Sequence, residues 1–114
     1  MTPSITAIET VEFSYPLENM RSVGSSGGAK FDPGYTTDRR VFAIRIESDL
    51  GVAGEYVASN TPPDHLLAQV GMVAPDLVGE NPLRRERIWS RLDHSLRKYD
   101  KMGLGPIDIA LWDL

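Results

Sequence analysis

The spacing of apolar residues changes once along these 114 residues, and that change restricts the architectures open to the chain. Up to residue 58 apolar side chains tend to fall at every second position, and from residue 61 they fall at every third and fourth. Period two marks strands covered on one face; a period near 3.6 marks helices covered along one stripe. Strands gathered in the first half and helices in the second predict an α+β domain, with a three-stranded antiparallel meander followed by three helices. A doubly wound fold would need the two patterns to alternate.

Residues 4–15 read as the first strand, with Val11, Phe13 and Tyr15 alternating with Glu12 and Ser14. Pro16 is expected to end it, because proline has no N–H to give to a ladder. Residues 17–38 read as a long irregular stretch, with a flexible patch at Gly24-Ser25-Ser26-Gly27-Gly28 and a turn at Asp32-Pro33-Gly34. A loop of this length is either a functional lid or a disordered excursion, and both readings stay open. Residues 39–48 return to strand, with Phe42, Ile44 and Ile46 facing one way and Val41, Ala43, Arg45 and Glu47 the other. The turn Asp49-Leu50-Gly51 leads to a third strand over 52–58, where Gly54 marks a bulge or a close approach.

Thr61 is expected to cap the first helix, with Pro62 at its first position and Asp64 complementing its dipole. Leu66, Leu67, Val70 and Val73 form its stripe, and Ala74-Pro75 is expected to break it. Asn81-Pro82 looks like a second cap-then-proline start, for a helix carrying Ile88, Trp89, Leu92, Leu96 and Tyr99. Gly103 and Gly105 precede a third helix from Pro106, whose Ile107, Ile109, Ala110, Leu111, Trp112 and Leu114 spread round most of its circumference. Such a helix suits burial on several sides, and its last carbonyls have no evident cap. Truncation inside a buried helix is the expectation; a terminal helix docked on its own sheet is the alternative.

No complete active site is legible. His65 and His94 have no histidine or cysteine at ligand spacing, and read as surface residues. In Asp93-His94-Ser95 helical geometry splays consecutive side chains, so the trio is no catalytic triad. The glycine patch lacks the Gly-Lys-Ser/Thr of a phosphate loop. Arginines crowd the second helix, but interspersed acids and a formal charge of -4 disfavour nucleic acid as a partner. No apolar run suits a membrane, and no cysteine is present for a disulfide or thiolate metal site, so a cytoplasmic location is the expectation.

The segment Gly105-Pro106-Ile107-Asp108-Ile109-Ala110-Leu111-Trp112-Asp113-Leu114 resembles the Asp-x-Ala-x-Trp-Asp signature of the mandelate racemase and muconate-lactonising enzymes of the enolase superfamily. Gly51-Val52-Ala53-Gly54-Glu55, Asn60-Thr61-Pro62 and Leu77-Val78-Gly79-Glu80-Asn81-Pro82 are similar to further segments of that family. The resemblance implies a capping domain over 1–104, with 105–114 opening the helix that leads into a TIM barrel absent from this chain. It implies a parent enzyme that is a Mg²⁺-dependent lyase or isomerase, abstracting the proton α to a carboxylate, as in an acid-sugar dehydratase or racemase. The Mg²⁺ ligands and bases would lie on the barrel, leaving this chain without catalytic or metal-binding residues and inert alone.

The family's capping loops close over the barrel mouth, here corresponding to residues 17–38 and 57–61. Arg21, Lys30 and Tyr35 in the first, and Tyr56 beside the second, become candidate substrate-binding residues for a small carboxylate. A homo-oligomer with a barrel partner is implied as well. The competing reading is a free-standing, non-enzymatic domain that binds a partner chain through its apolar end.

Overall fold

The computed structural model describes residues 2–24, 28–59 and 61–114. Three strands, β1 (Ile5–Val23), β2 (Gly28–Ser48) and β3 (Ala53–Ala58), precede three helices, α1 (Pro63–Leu77), α2 (Arg85–Ser95) and α3 (Leu104–Asp113). The strands form one antiparallel sheet in the order β1-β2-β3, so the α+β meander with three following helices is the architecture observed.

Alternation sorts the sheet into two faces. Phe42, Ile44 and Ile46 are at most 2% exposed and join Leu66, Val70, Val73, Leu77, Ile88, Leu92, Leu96, Ile107, Ala110 and Leu111 in one core beneath the helices. The start of β1 is fastened to the turn after α1: the Ile5 N–H donates to the Glu80 carbonyl (2.8 Å), and the Gly79 N–H to the Ile5 carbonyl (2.9 Å). Gly79 has φ 94°, which a side chain would strain, so the Gly79-Glu80 pair makes a turn that closes the α1 end onto the sheet.

The irregular stretch expected at 17–38 is instead a long hairpin. Proline does not end β1 because β1 is an edge strand, where one missing donor need not interrupt pairing; Pro16 lies opposite Asp38. The Asp32-Pro33-Gly34 turn is real but sits inside β2 as a bulge. Pairing jumps from Glu18↔Thr36 to Met20↔Phe31, leaving Asn19 opposite the extra residues. Asn19 (φ 59°) and Gly34 (φ 89°) supply the left-handed backbone this needs. The protruding hairpin draws the molecule out to 57 × 32 × 18 Å. Ser25, Ser26 and Gly27 of the glycine patch lie outside the described residues, as does Asn60.

The helix starts also shift. Pro63, not Pro62, occupies the first position of α1, because a residue before proline is driven to extended geometry, and Pro62 has ψ 130°. Thr61 therefore lies outside the helix, and no side chain caps it. Pro75 does not break α1, which runs to Leu77. Its missing N–H forfeits only a bond to the carbonyl of Gly71, which is exposed and open to solvent. Asn81 builds a turn rather than a cap: its Oδ1 accepts from the Leu83 N–H (3.0 Å), its carbonyl accepts from the Arg84 N–H (3.1 Å), and α2 begins at Arg85. Tyr99 lies beyond the end of α2.

Candidate functional site

The four candidate substrate-binding residues fall into two places. Arg21 on β1 is the register partner of Lys30 on β2, and the bulge brings Tyr35 to the same arginine. The Arg21 guanidinium lies 3.6 Å from the Tyr35 ring centroid, and its Nε donates to Asp32 Oδ2 at 2.6 Å. Asn19 Oδ1 accepts from the Gly34 N–H at 3.2 Å, holding the bulge that presents Asp32 and Tyr35. Cation–π stacking and a charge-assisted bond thus fix the arginine's plane. All of Arg21, Lys30 and Tyr35 are exposed. Tyr56 is elsewhere: on β3 it pairs with Ile44 and packs partly buried against the core, so it does not join the hairpin cluster.

Between the hairpin and the start of α1 lies a pocket of about 220 Å³, lined among others by Ser22, Asp38, Arg39, Arg40, Thr61 and Asp64. Its charges are largely matched within the fold. Arg40 grips Asp64 through two nitrogens (2.9 and 3.1 Å) and donates from Nε to Glu12 (2.6 Å), tying β1, β2 and α1 together. The hydrogen bond and positive charge of Arg40 hold the Asp64 carboxyl below its ordinary range, and Asp64 and Glu12 raise the arginine in turn. Arg39 Nε donates to the Ser59 carbonyl at 3.0 Å. The hairpin can therefore present a fixed guanidinium, a phenol and an ammonium to an anionic or hydroxylated ligand. Among the described residues no three His, Cys, Asp or Glu side chains are grouped to hold a metal ion, so the residues present do not fit a Mg²⁺ site.

Two of the segments that carried the family resemblance, 51–55 and 105–114, meet at a second place, the contact of β3 with α3. Gly54 lies so close to α3 that a Cβ there would stand 1.8 Å from the Ala110 carbonyl oxygen and 2.8 Å from the Leu114 nitrogen. The next residue's N–H, on Glu55, donates to Asp113 Oδ2 at 2.8 Å. The expectation of a close approach at Gly54 is thus met, and the aspartate of the signature acts as an acceptor for strand backbone. Arg85 closes the other side: its Nε donates to the Leu111 carbonyl (2.9 Å), one of the end carbonyls that lacked an evident cap, and its guanidinium lies 4.6 Å from the Trp112 ring centroid.

Sequence reasoning missed that role of Arg85. It also missed Gln69, 7% exposed, whose Oε1 accepts from the Gly103 N–H (2.6 Å) and whose Nε2 donates to the Tyr99 carbonyl and to Asp100 Oδ1 (2.8 Å). That amide holds the α2–α3 connection, where Asp100 and Lys101 both have positive φ. His65 and His94 are exposed, as expected. Ile107, Ala110 and Leu111 are fully buried, whereas Ile109 and Trp112 on the same helix are 43% and 62% exposed; Trp112 lines one shallow pocket with Trp89 of α2, itself 43% exposed. No described helix is long and apolar enough to cross a membrane.

No family model and no curated protein matches the chain. Solved structures do match nearly all of it. D-glucarate dehydratase from Agrobacterium tumefaciens, complexed with magnesium, superposes over 96% of this chain at 26% identity and a TM-score of 0.75. A mandelate racemase/muconate lactonizing protein from Herpetosiphon aurantiacus covers 95% at 15% identity and 0.72. L-talarate/galactarate dehydratase from Salmonella typhimurium LT2, liganded with Mg and L-lyxarohydroxamate, covers 97% at 19% identity and 0.69. The chain spans 28%, 29% and 30% of those proteins' lengths.

Three antiparallel strands followed by three helices give this chain the fold of an enolase-superfamily N-terminal domain. The chain shares that fold with part of solved structures described as a D-glucarate dehydratase and as mandelate racemase/muconate lactonizing proteins.

Proposed function

We propose that the chain caps and helps to select substrate for an enolase-superfamily enzyme, whose chemistry is performed on a barrel domain. The reaction class is removal of the proton α to a carboxylate, on an acid sugar or related hydroxy acid. The observation that carries this reading is the two-sided α3: one side is sunk in the core and locked to β3, while Ile109 and Trp112 stand exposed, Trp112 beside Trp89. An apolar patch of this kind marks a docking surface, and the barrel is the occupant proposed. Mg²⁺ belongs with the barrel, because the acids around the hairpin serve Arg21 and Arg40 instead. Arg21, Lys30 and Tyr35 are proposed to meet the carboxylate or hydroxyls of the substrate. Tyr56 would act only by supporting the strand edge.

The test is turnover of an acid-sugar panel with Mg²⁺, measured for the 114-residue chain and for a chimera that joins it to the barrel of a matched dehydratase. The chain alone gives no product, and the chimera turns substrate over with a KM that rises about tenfold in Arg21→Ala. Product formed by the chain alone contradicts the proposal. An inactive chimera in which the two domains demonstrably dock would favour a non-enzymatic interaction domain.

A further inference from the structure

Ser22 and Gly24 lie near the outer end of the hairpin, yet they line the same pocket as Arg39 and Arg40 at its base and Asp64 at the start of α1. The hairpin therefore bends over the front of α1. A hydrogen bond of 2.5 Å between the Ser22 and Thr37 hydroxyls fastens the bend. The space enclosed is about 220 Å³, the share of about seven waters in the liquid, which suits a ligand of a few carbons.

The polar groups of the lining decide which chemistry fits. Arg40 and Asp64 are committed to each other: Nη1 and Nη2 meet both carboxylate oxygens, while Nε donates to Glu12. Arg39 gives Nε and Nη2 to the Ser59 carbonyl, and its Nη1 takes no part in that contact. The side chains of Asp38, Ser59 and Thr61 enter none of these bonds. What remains for a ligand is one carboxylate, one corner of a guanidinium and two hydroxyls. Over the whole lining two arginines stand against two aspartates, so the pocket carries no net charge. A ligand carboxylate would lie against Asp38 and Asp64, and a ligand ammonium against Arg39 and Arg40. Hydroxyl groups meet neither opposition, because each can donate to a carboxylate and accept from a guanidinium or a hydroxyl. Pro62 and Pro63 add a rigid apolar wall for a carbon skeleton.

We infer that this pocket takes the uncharged, polyhydroxylated end of a sugar acid, with Asp38 and Thr61 as its specificity-determining residues. The inference rests on the capping role proposed above and narrows the substrate. The acid carries one carboxylate, beside the carbon that loses its proton, and its far end carries hydroxyls only. Asp38 acts in two ways. It accepts from neighbouring hydroxyls, and it opposes a second carboxylate at that end, which selects against diacids.

Xylitol, xylonate and xylarate share one carbon skeleton and differ in carrying no, one or two carboxylates, so they isolate the effect of charge. Each is titrated into the isotope-labelled 114-residue chain and followed by amide NMR shifts. Xylitol and xylonate move the Arg39, Thr61 and Asp64 resonances saturably, and xylarate binds at least about fivefold more weakly. Asp38→Asn keeps a hydrogen-bonding side chain and removes the opposing charge, so xylarate comes within about twofold of xylonate. Asp38→Ala weakens xylitol itself by about tenfold. Absence of a saturable shift at these residues overturns the inference. So does xylarate binding the parent chain as tightly as xylonate, and so does an unchanged ratio in Asp38→Asn. No turnover enters the readout: failure here leaves the capping role to the chimera, and an inactive chimera leaves the ligand class of the pocket intact.

Discussion

Replacing Gly54 with alanine adds one methyl group at the place where β3 and α3 are closest. The new carbon would stand 1.8 Å from the Ala110 oxygen and 2.9 Å from its carbonyl carbon, where 3.0 Å is the least that real side chains show. Both neighbours are backbone, so no rotamer can relieve the clash and α3 must retreat by over an ångström. Overpacking of this kind costs about 1–3 kcal/mol by itself. The retreat also stretches the 2.8 Å bond from the Glu55 N–H to Asp113, worth about 1 kcal/mol. We expect a total near 3 kcal/mol, a large share of a small domain's stability, and a fall in Tm of about 12 °C. Urea unfolding followed by far-ultraviolet circular dichroism reads this directly. Gly71→Ala is the control: it lies in α1 with nothing within 4 Å of a new Cβ, and should stabilise by about 0.5–1 kcal/mol. A Gly54→Ala protein within about 0.5 kcal/mol of the parent would refute the claim that these two segments are locked by backbone contact.

Gln69→Leu keeps the volume but strands the Gly103 N–H and the Tyr99 carbonyl, so stability should fall by about 2–4 kcal/mol, with proteolysis quickest between Leu96 and Gly103. Asp64 is held by Arg40 below its ordinary range, so its contribution is complete above the unfolded carboxylate pKa, near 3.9, and is lost as pH falls through the lower folded value. Asp64→Asn should therefore lower the urea midpoint at neutral pH and narrow its gap to the parent as pH drops below about 4. The site is exposed, and the effect should shrink in high salt.

Much of the fold was legible because apolar period is a local property. Phe42, Ile44 and Ile46 announced the covered face of β2, and Leu66, Val70 and Val73 that of α1. The hairpin was not legible: Pro16 and Asp32-Pro33-Gly34 are loop signals, and only pairing to a distant strand turns them into an edge proline and a bulge. Leu67 was assigned to the α1 stripe but is 48% exposed, while the neighbouring interior position belongs to Gln69. A buried amide of that kind has no sequence signal, since its partners Tyr99 and Gly103 lie 30 and 34 residues away. In the candidate site, residue type pointed to Arg21 and Tyr35, but their stacking and the part played by Asp32 depend on register. Arg85 was read as one of a basic cluster; its use as a clamp on Leu111 and Trp112 depends on how α2 and α3 meet.

Acrylamide quenching of Trp112, in a Trp89→Phe background so that it is the sole tryptophan, tests the capping account most directly. Trp112 is 62% exposed in the chain alone, and its emission should be quenched almost freely there. Joined to a matched barrel, the account predicts a blue-shifted emission and quenching reduced several-fold. Equal quenching in the two states would contradict it, because the exposed side of α3 would then not be where a barrel sits.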